Sequence, residues 1–513
     1  MALNHRPIPR PAISRMFERE TARFASSNPR SRDLASRARA HLPNGVPMHW
    51  MTDWATPFAL FVASASGASL KDVDGHAYAD FCLGDTGTMF GHVPAPVAKA
   101  VEKRLALGFS AMLSSEDGVV AAENLAARFG LPFWQMATTA TDANRFVLRW
   151  ARAITGRPVV LVFNGCYHGS VDDTFLRLEK GKTVLRPGVL GQFQDLTKTS
   201  RVVEFNDLPG LERALEPGDV ACVLQEPAMT NIGMVLPAPG FQQGLRELTR
   251  RHGTLLINDE THCISTGPGG YTRAFDLSPD MLTLGKPIAG GIPCSVFGFT
   301  AEIEAAMRRL SDANPGYSGM GTTLSGNALA LACMRATLEE VMTEPAYERM
   351  LALSQRLASG LEGVIADQGL AWHVQRVGAR AEWLFSARAP ANGSEAAASF
   401  DHELERALHL YLLNRGVLIA PFHNMTLCSP VTAEADVDKL VGVMREAVGE
   451  LLAAQPVSGN SSGGLLHLLR RIDPVELVAL QPALVAIDIQ AAPGAVAFEK
   501  FGDDAGHEAG RRL

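Results

Sequence analysis

The sequence predicts an α/β protein: a mainly parallel sheet covered by helices on both faces, followed by a smaller α+β unit. Three observations carry this reading. From about residue 120 to 330, helical patterns alternate with short β-rich apolar runs. The linking helices, of roughly 10–20 residues, imply crossover connections, and crossovers join parallel strands. A chain of 513 residues also exceeds what one small core organises, so two or three domains are expected.

In chain order, residues 1–66 read as an arm, with a helix over 17–39 ahead of Pro43-Asn44-Gly45. A hairpin follows: residues 68–72 and 77–81 flank Val73-Asp74-Gly75-His76, where Asp-Gly is the turn signal. The large domain, 67–330, takes strands at 133–137, 158–163, 221–225, 254–258, 281–284 and 296–299. A long helix is expected over 328–340. A small domain, 331–455, then includes a strand pair at 381–385 and 417–420. Residues 456–464 are a flexible linker by composition. The remaining tail holds one amphipathic stretch, 465–489, and roughly its last 25 residues are expected to be mobile.

Composition excludes several classes. The formal charge is −7 with no Lys/Arg run, so there is no basic field for nucleic acid. Seven cysteines stand singly, at 82, 166, 222, 263, 294, 333 and 428, without a Cys-x-x-Cys pair. That argues against a disulfide framework or a metal site and for a reducing compartment, the cytoplasm. No apolar run approaches the ~20 residues of a membrane span. The arginine-rich start (Arg6, Arg10, Arg15, Arg19, Arg23) also carries Glu18 and Glu20 and lacks the apolar centre of a secretory signal, so it reads as a surface arm.

The chemistry gathers where two strands end. Run 254–258 leads into Asp259-Glu260, and run 281–284 into Gly285-Lys286. Carboxyl ends of strands in an open α/β sheet form its ligand crevice. A lysine among apolar residues can lose its proton and attack a carbonyl, while a nearby acid can hold a cationic ring nitrogen. Alone, such a lysine is more often a surface charge, and such an acid more often a helix cap. Together they are the pair that pyridoxal phosphate chemistry requires. Thr138-Thr139-Ala140-Thr141-Asp142-Ala143 opens a helix after run 133–137, and helix-start N–H groups bind phosphate without a basic residue.

Together with Gly165-Cys166-Tyr167-His168-Gly169, Gln225-Glu226-Pro227 and Gly321-Thr322-Thr323-Leu324-Ser325-Gly326-Asn327, these residues resemble class III (subgroup II) pyridoxal phosphate-dependent aminotransferases. The similarity is to the branch holding glutamate-1-semialdehyde aminomutase and β-amino-acid transaminases, from about residue 45 to 448. The resemblance implies the fold type I subunit, its large domain built on a mainly parallel seven-stranded sheet, and a homodimer with a shared active site. It implies pyridoxal 5'-phosphate held as a Schiff base on Lys286, with Asp259 on the ring nitrogen. Ala140 and Thr141 become phosphate contacts, in place of the family's Ser-Gly-Thr-Glu-Ala. Tyr167 lies against the ring with His168 beside it, Glu226 stands near the cofactor, and Thr261 faces the ring where valine is common. Thr323 reaches the phosphate of the neighbouring subunit, with Thr322 the alternative one residue earlier. Glu260 points elsewhere and stays outside the chemistry.

The departures concern substrate. Substrate carboxylates are gripped by a bidentate arginine. None occurs in Pro47-Met48-His49-Trp50-Met51, where Trp50 and Met51 are pocket residues, nor in Ala420-Pro421-Phe422-His423-Asn424-Met425. Arg376 and Arg380 remain candidates for that grip, with ordinary surface charge the favoured reading of both. The expected activity is transfer of an amino group between an amine or amino acid donor and a keto or aldehyde acceptor, with hydrophobic amines or β- or ω-amino compounds as substrates. The alternative is an aminomutase, for which residues 84–92 and Leu324-Ser325-Gly326-Asn327 speak. A third reading is a non-catalytic cofactor-binding protein.

Overall fold

Apolar β-branched runs without alternation become strands buried on both faces, as a doubly covered sheet requires. The computed structural model describes residues 6–453. Its central sheet has seven strands: β1 (Phe133–Ala137), β2 (Val159–Phe163), β3 (Ser200–Val203), β4 (Val220–Gln225), β5 (Leu255–Asp259), β6 (Met281–Leu284) and β7 (Ser295–Phe299). Their spatial order is β1-β7-β6-β5-β4-β2-β3. β5 is parallel to β4 and β6, and β2 is parallel to β3 and β4. Only β7 runs against its neighbours, β6 and β1. Every residue of β2, β4, β6 and β7 is buried. β3, an edge strand of sequence Ser-Arg-Val-Val, is too short and polar to stand out as an apolar run.

Three expectations need correction. The helix over 17–39 is two helices, Arg10–Ser27 and Pro29–Ala38. Proline disfavours the α conformation in the residue before it, and Asn28 accordingly sits at φ −120°, ψ 56°. The helix over 328–340 is α-helical across Ala328–Ala336 and closes with a π turn at Thr337–Val341. The pair 381–385 with 417–420 does not form. Strand Arg380–Leu384 lies between His373–Val377 and Met425–Leu427, so both its edges are taken. Val417–Leu418 instead pairs in parallel with Ala77–Asp80 of the N-terminal hairpin.

That hairpin forms with Leu70 opposite Tyr78, and an unanticipated third strand, Val62–Ser66, lies on its outer side. The linker and tail expected at 456–513 lie outside the described residues.

Candidate active site

Parallel pairing puts the ends of β5 and β6 side by side, with Asp259 opposite Thr283. The chain then delivers Asp259 and Lys286 to one rim. There they line a cleft of about 320 Å³ together with Ala140, Thr141, Tyr167, His168, Glu226 and Thr261. Eight of the sequence-derived positions therefore meet at one place. Three do not. Trp50 and Met51 sit on a short 3-10 turn outside the cleft lining, with the Trp50 ring edge-on to Phe422 at 6.3 Å. Thr323 is exposed, and the neighbouring Thr322 hydroxyl comes within 3.3 Å of Thr138 Oγ1.

Asp259 is built into the scaffold. Its Oδ2 accepts from Asn144 Nδ2 at 2.8 Å and pairs with His168 Nδ1 at 3.0 Å, and its Oδ1 accepts the Thr261 N–H at 3.1 Å. Asn144 is fixed in turn, because the Thr283 hydroxyl donates to its Oδ1 at 2.7 Å. Burial works against ionisation, yet the His168 hydrogen bond and charge, with Thr261 and Asn144, bring the carboxyl down to about 2. A buried acid that stays charged is what a cationic ring nitrogen needs opposite it.

The helix Ala140–Thr155 begins with a capping box: Thr139 Oγ1 accepts from the Asp142 N–H, and the Asp142 carboxylate accepts from the Thr139 N–H. The N–H groups of Ala140 and Thr141 precede the first helical hydrogen bond, from Ala143 to Thr139, at the positive end of the helix, where an anion can be bound. The neighbouring turn is pressed close. A Cβ on Gly169, which has φ +79°, would meet Thr141 Oγ1 at 2.1 Å, so only glycine fits.

Lys286 has partners the sequence did not announce. It occupies the left-handed region at φ 50°, its Nζ donates to Asp85 Oδ2 at 2.5 Å, and it also contacts His262 Nε2. Asp85 belongs to a run, Leu83 to Thr86, in which every residue has positive φ, three of them non-glycine. Such conformations cost energy and collect at functional sites. Burial opposes the Asp85 charge, but Lys286, His262 and Arg380 hold it well below the usual carboxylate range. His262 is driven down to about 3, first by burial and then by the Lys286 charge, so its ring is neutral.

Arg380 corrects the surface-charge reading. It is fully buried, donating to the His262 carbonyl at 3.3 Å and contacting Met425 Sδ and Thr86 Oγ1. All five residues of its strand, Arg380–Leu384, are buried, so no position there faces water. Arg376, on the partly exposed neighbouring strand, reaches only backbone carbonyls. Glu226 accepts the Tyr167 N–H at 3.1 Å, the Thr230 N–H and hydroxyl at 3.0 Å each, and Asn231 Nδ2 at 2.8 Å, while burial pushes its pKa up. Glu260, raised by burial to about 7, accepts the Tyr271 and Thr272 N–H groups and does not line the cleft.

Pyridoxal 5'-phosphate can be tested against these residues. A helix start suits its phosphate, an ionised buried acid its ring nitrogen and a lysine its aldehyde. Two buried polar atoms on cleft-lining residues, Thr261 Oγ1 and His168 Nε2, lack a partner among the described residues. The residues fit the group.

An α/β sheet carrying a lysine and a buried acid at adjacent strand ends, with a helix-start anion site, defines a pyridoxal phosphate-dependent enzyme. The comparisons specify which kind. The class-III aminotransferase family model matches residues 50–448, and the chain belongs to that family. A glutamate-1-semialdehyde 2,1-aminomutase of Desulfitobacterium hafniense is 32% identical over 433 residues, covering 82% of this chain and 98% of the relative. Among solved structures, a glutamate-1-semialdehyde-aminomutase from Pseudomonas aeruginosa PAO1 has 48% identity and a TM-score of 0.85, over 86% of this chain and 99% of that one. A lysine-to-alanine variant of that enzyme has been solved in complex with PMP. An omega-transaminase from Sphaerobacter thermophilus follows at 28% identity and a TM-score of 0.75, over 82% of this chain and 97% of that one. The chain is thus a class III enzyme that uses pyridoxal 5'-phosphate to move amino groups.

Proposed function

We propose that this enzyme transaminates hydrophobic amines and β- or ω-amino compounds, passing the amino group to a keto or aldehyde acceptor. One observation carries the choice of substrate: among the described residues that line the cleft, Lys286 is the only lysine or arginine. A carboxylate beside the reacting carbon therefore meets no guanidinium fork. It meets instead the field of Asp85, which contacts Lys286.

The residue roles follow from chemistry. The bound cofactor supplies an aldehyde to capture the amine and a ring to absorb the electrons left when a proton departs. Lys286 is the group at the cleft that can both take up a proton and return it. Asp259 would hold the ring nitrogen in its cationic form. The N–H groups of Ala140 and Thr141 would hold the phosphate, and Tyr167, His168, Thr261 and Glu226 would line the bound group.

We also infer a homodimer in which Thr323 reaches the phosphate bound by the partner subunit. Leu105, Leu107, Phe109, Met112, Leu113 and Leu324 are exposed, and the Phe109 carbonyl accepts from Ala328, four residues beyond Leu324. A second copy covers such an apolar rim. The cytoplasm is the compartment we assign, supported by seven buried cysteines that are all free thiols. Among the described residues no helix is long and apolar enough to cross a membrane.

The test is the visible spectrum of the enzyme with cofactor, titrated with amines beside Lys286→Ala. Bleaching by aromatic or aliphatic amines in the wild type alone supports the reading. Equal activity on small dicarboxylic amino acids would overturn the substrate class. A second reading, an aminomutase, is favoured by the names of the relatives. It predicts turnover of a single substrate without any acceptor, where a transaminase stops after one half-reaction.

A further inference from the structure

His262 contacts Lys286 but has no part in the roles above, and its surroundings form a continuous chain. Its Nε2 touches Lys286 Nζ, and its Nδ1 lies 2.9 Å from Thr230 Oγ1. Thr230 Oγ1 in turn lies 3.0 Å from Glu226 Oε2. All three residues are buried, with exposures of 6%, 0% and 4%.

Directionality follows from the groups at the ends. Glu226 Oε2 accepts the Thr230 and Asn231 N–H groups, so the Thr230 hydroxyl also donates to it and must accept from His262. His262 then carries its proton on Nδ1 and presents the bare Nε2 lone pair to the Lys286 ammonium. We propose that His262, Thr230 and Glu226 form a proton relay that neutralises the Lys286 ammonium, so that the free amine is ready to take up the substrate proton. This rests on the reading of Lys286 as the group that moves the substrate proton.

The step balances within the chain. An N–H bond of the Lys286 ammonium breaks, and its proton goes to His262 Nε2. The Nδ1 proton passes to Thr230 Oγ1, whose own proton passes to Glu226 Oε2. Lys286 ends as a neutral amine, Glu226 as a neutral acid, and His262 as the other neutral tautomer. No redox partner is needed. The run reverses when Lys286 must be recharged.

The charges around the chain favour this route. Lys286, Asp85 and Arg380 face His262, and the two cations among them keep a proton from resting on its ring. His168 and Asp259 face Glu226, where burial makes the neutral acid easier to form. Asp85 is the competing acceptor for the Lys286 proton, but its environment holds it ionised, so it braces the ammonium rather than neutralising it.

Thr230→Val cuts the chain at its middle with nearly constant volume, and Thr230→Ser restores it. With 1-phenylethylamine as probe, Thr230→Val should lower the single-turnover bleaching rate at least about tenfold, within the range of one acid–base contribution. Cofactor affinity should stay within a factor of two, and Thr230→Ser should recover the rate. Glu226→Gln should show the same loss and is the second variant if Thr230→Val fails to fold. Imidazole 15N shifts of His262, recorded without amine, should report the neutral Nδ1–H tautomer in wild type. A wild-type rate in Thr230→Val overturns the relay, and so does weakened cofactor binding that accounts for the loss. A charged or Nε2–H His262 in the wild type overturns it even if no amine reacts, which keeps this failure distinct from failure of the proposed function.

Discussion

The Asp259 side and the Lys286 side of the cleft hold opposite charges, but they are made differently. Asp259 ends a regular strand, and its carboxylate is met by a strand-end backbone N–H, a histidine and an asparagine locked by Thr283. Lys286 is in left-handed backbone, facing Asp85, which lies on a loop whose residues from Leu83 to Thr86 all have positive φ. The first arrangement is a fixed electrostatic floor. The second stores conformational strain around the group proposed to make and break bonds. Regular structure supplies permanence here, and irregular structure supplies reactivity.

This contrast can be broken experimentally. The largest effect is expected from Lys286→Ala, which removes the reacting amine: single-turnover transamination should fall by at least about a thousandfold, with cofactor still bound. Next comes Arg380→Met. It removes a buried cation and leaves Asp85 less compensated, so urea unfolding should show a loss of about 3 kcal/mol. The same change should matter less to Asp259, whose partners are all on the other side.

The Asp259 side is sharpened by pH. Its carboxyl lies at about 2 in the folded protein, below its ordinary value. The stability it adds is therefore present above about pH 4 and lost as pH falls toward 2. Wild type should lose about 2 kcal/mol more than Asp259→Asn across that window, by denaturant titration at fixed pH values. The smallest effect belongs to Thr323→Ala. If Thr323 supplies one hydrogen bond to the partner subunit's phosphate, cofactor affinity should fall about fivefold, a cost of roughly 1 kcal/mol.

The same contrast explains what could be read from sequence. β5 and β6 are built on short, mostly apolar runs, so their ends, and with them Asp259 and Lys286, follow from pattern. The helix start at Thr139–Thr141 is equally legible, because capping residues have a local signature. Asn144 carries no such mark, since an asparagine inside a helix reads as a solvated residue until the fold turns it toward Asp259. Asp85 and His262 were hidden for another reason. Their contacts with Lys286 span 201 and 24 residues, and no local periodicity encodes a meeting across that distance. Arg380 was misread because charge suggests exposure, and only burial of the whole Arg380–Leu384 strand reverses that. The mispaired 417–420 strand is similar: its position was visible, but it is shorter, Val417–Leu418, and its partner was set by which strand edge remained open.

That pairing has a consequence for the order of synthesis. Val417–Leu418 completes the sheet of Ala77–Asp80, the strand leading to Asp85, and Arg380 reaches Thr86 next to it. The aspartate that meets Lys286 is thus secured by residues made some three hundred positions later. A ribosome-bound chain that has emerged only through residue 330 already contains every strand of the central sheet, and Lys286 with it, but not the ties that set Asp85. Contacts of such long sequence separation form late and slowly. A nascent chain should therefore form the Asp259 side of the cleft before Lys286 is braced.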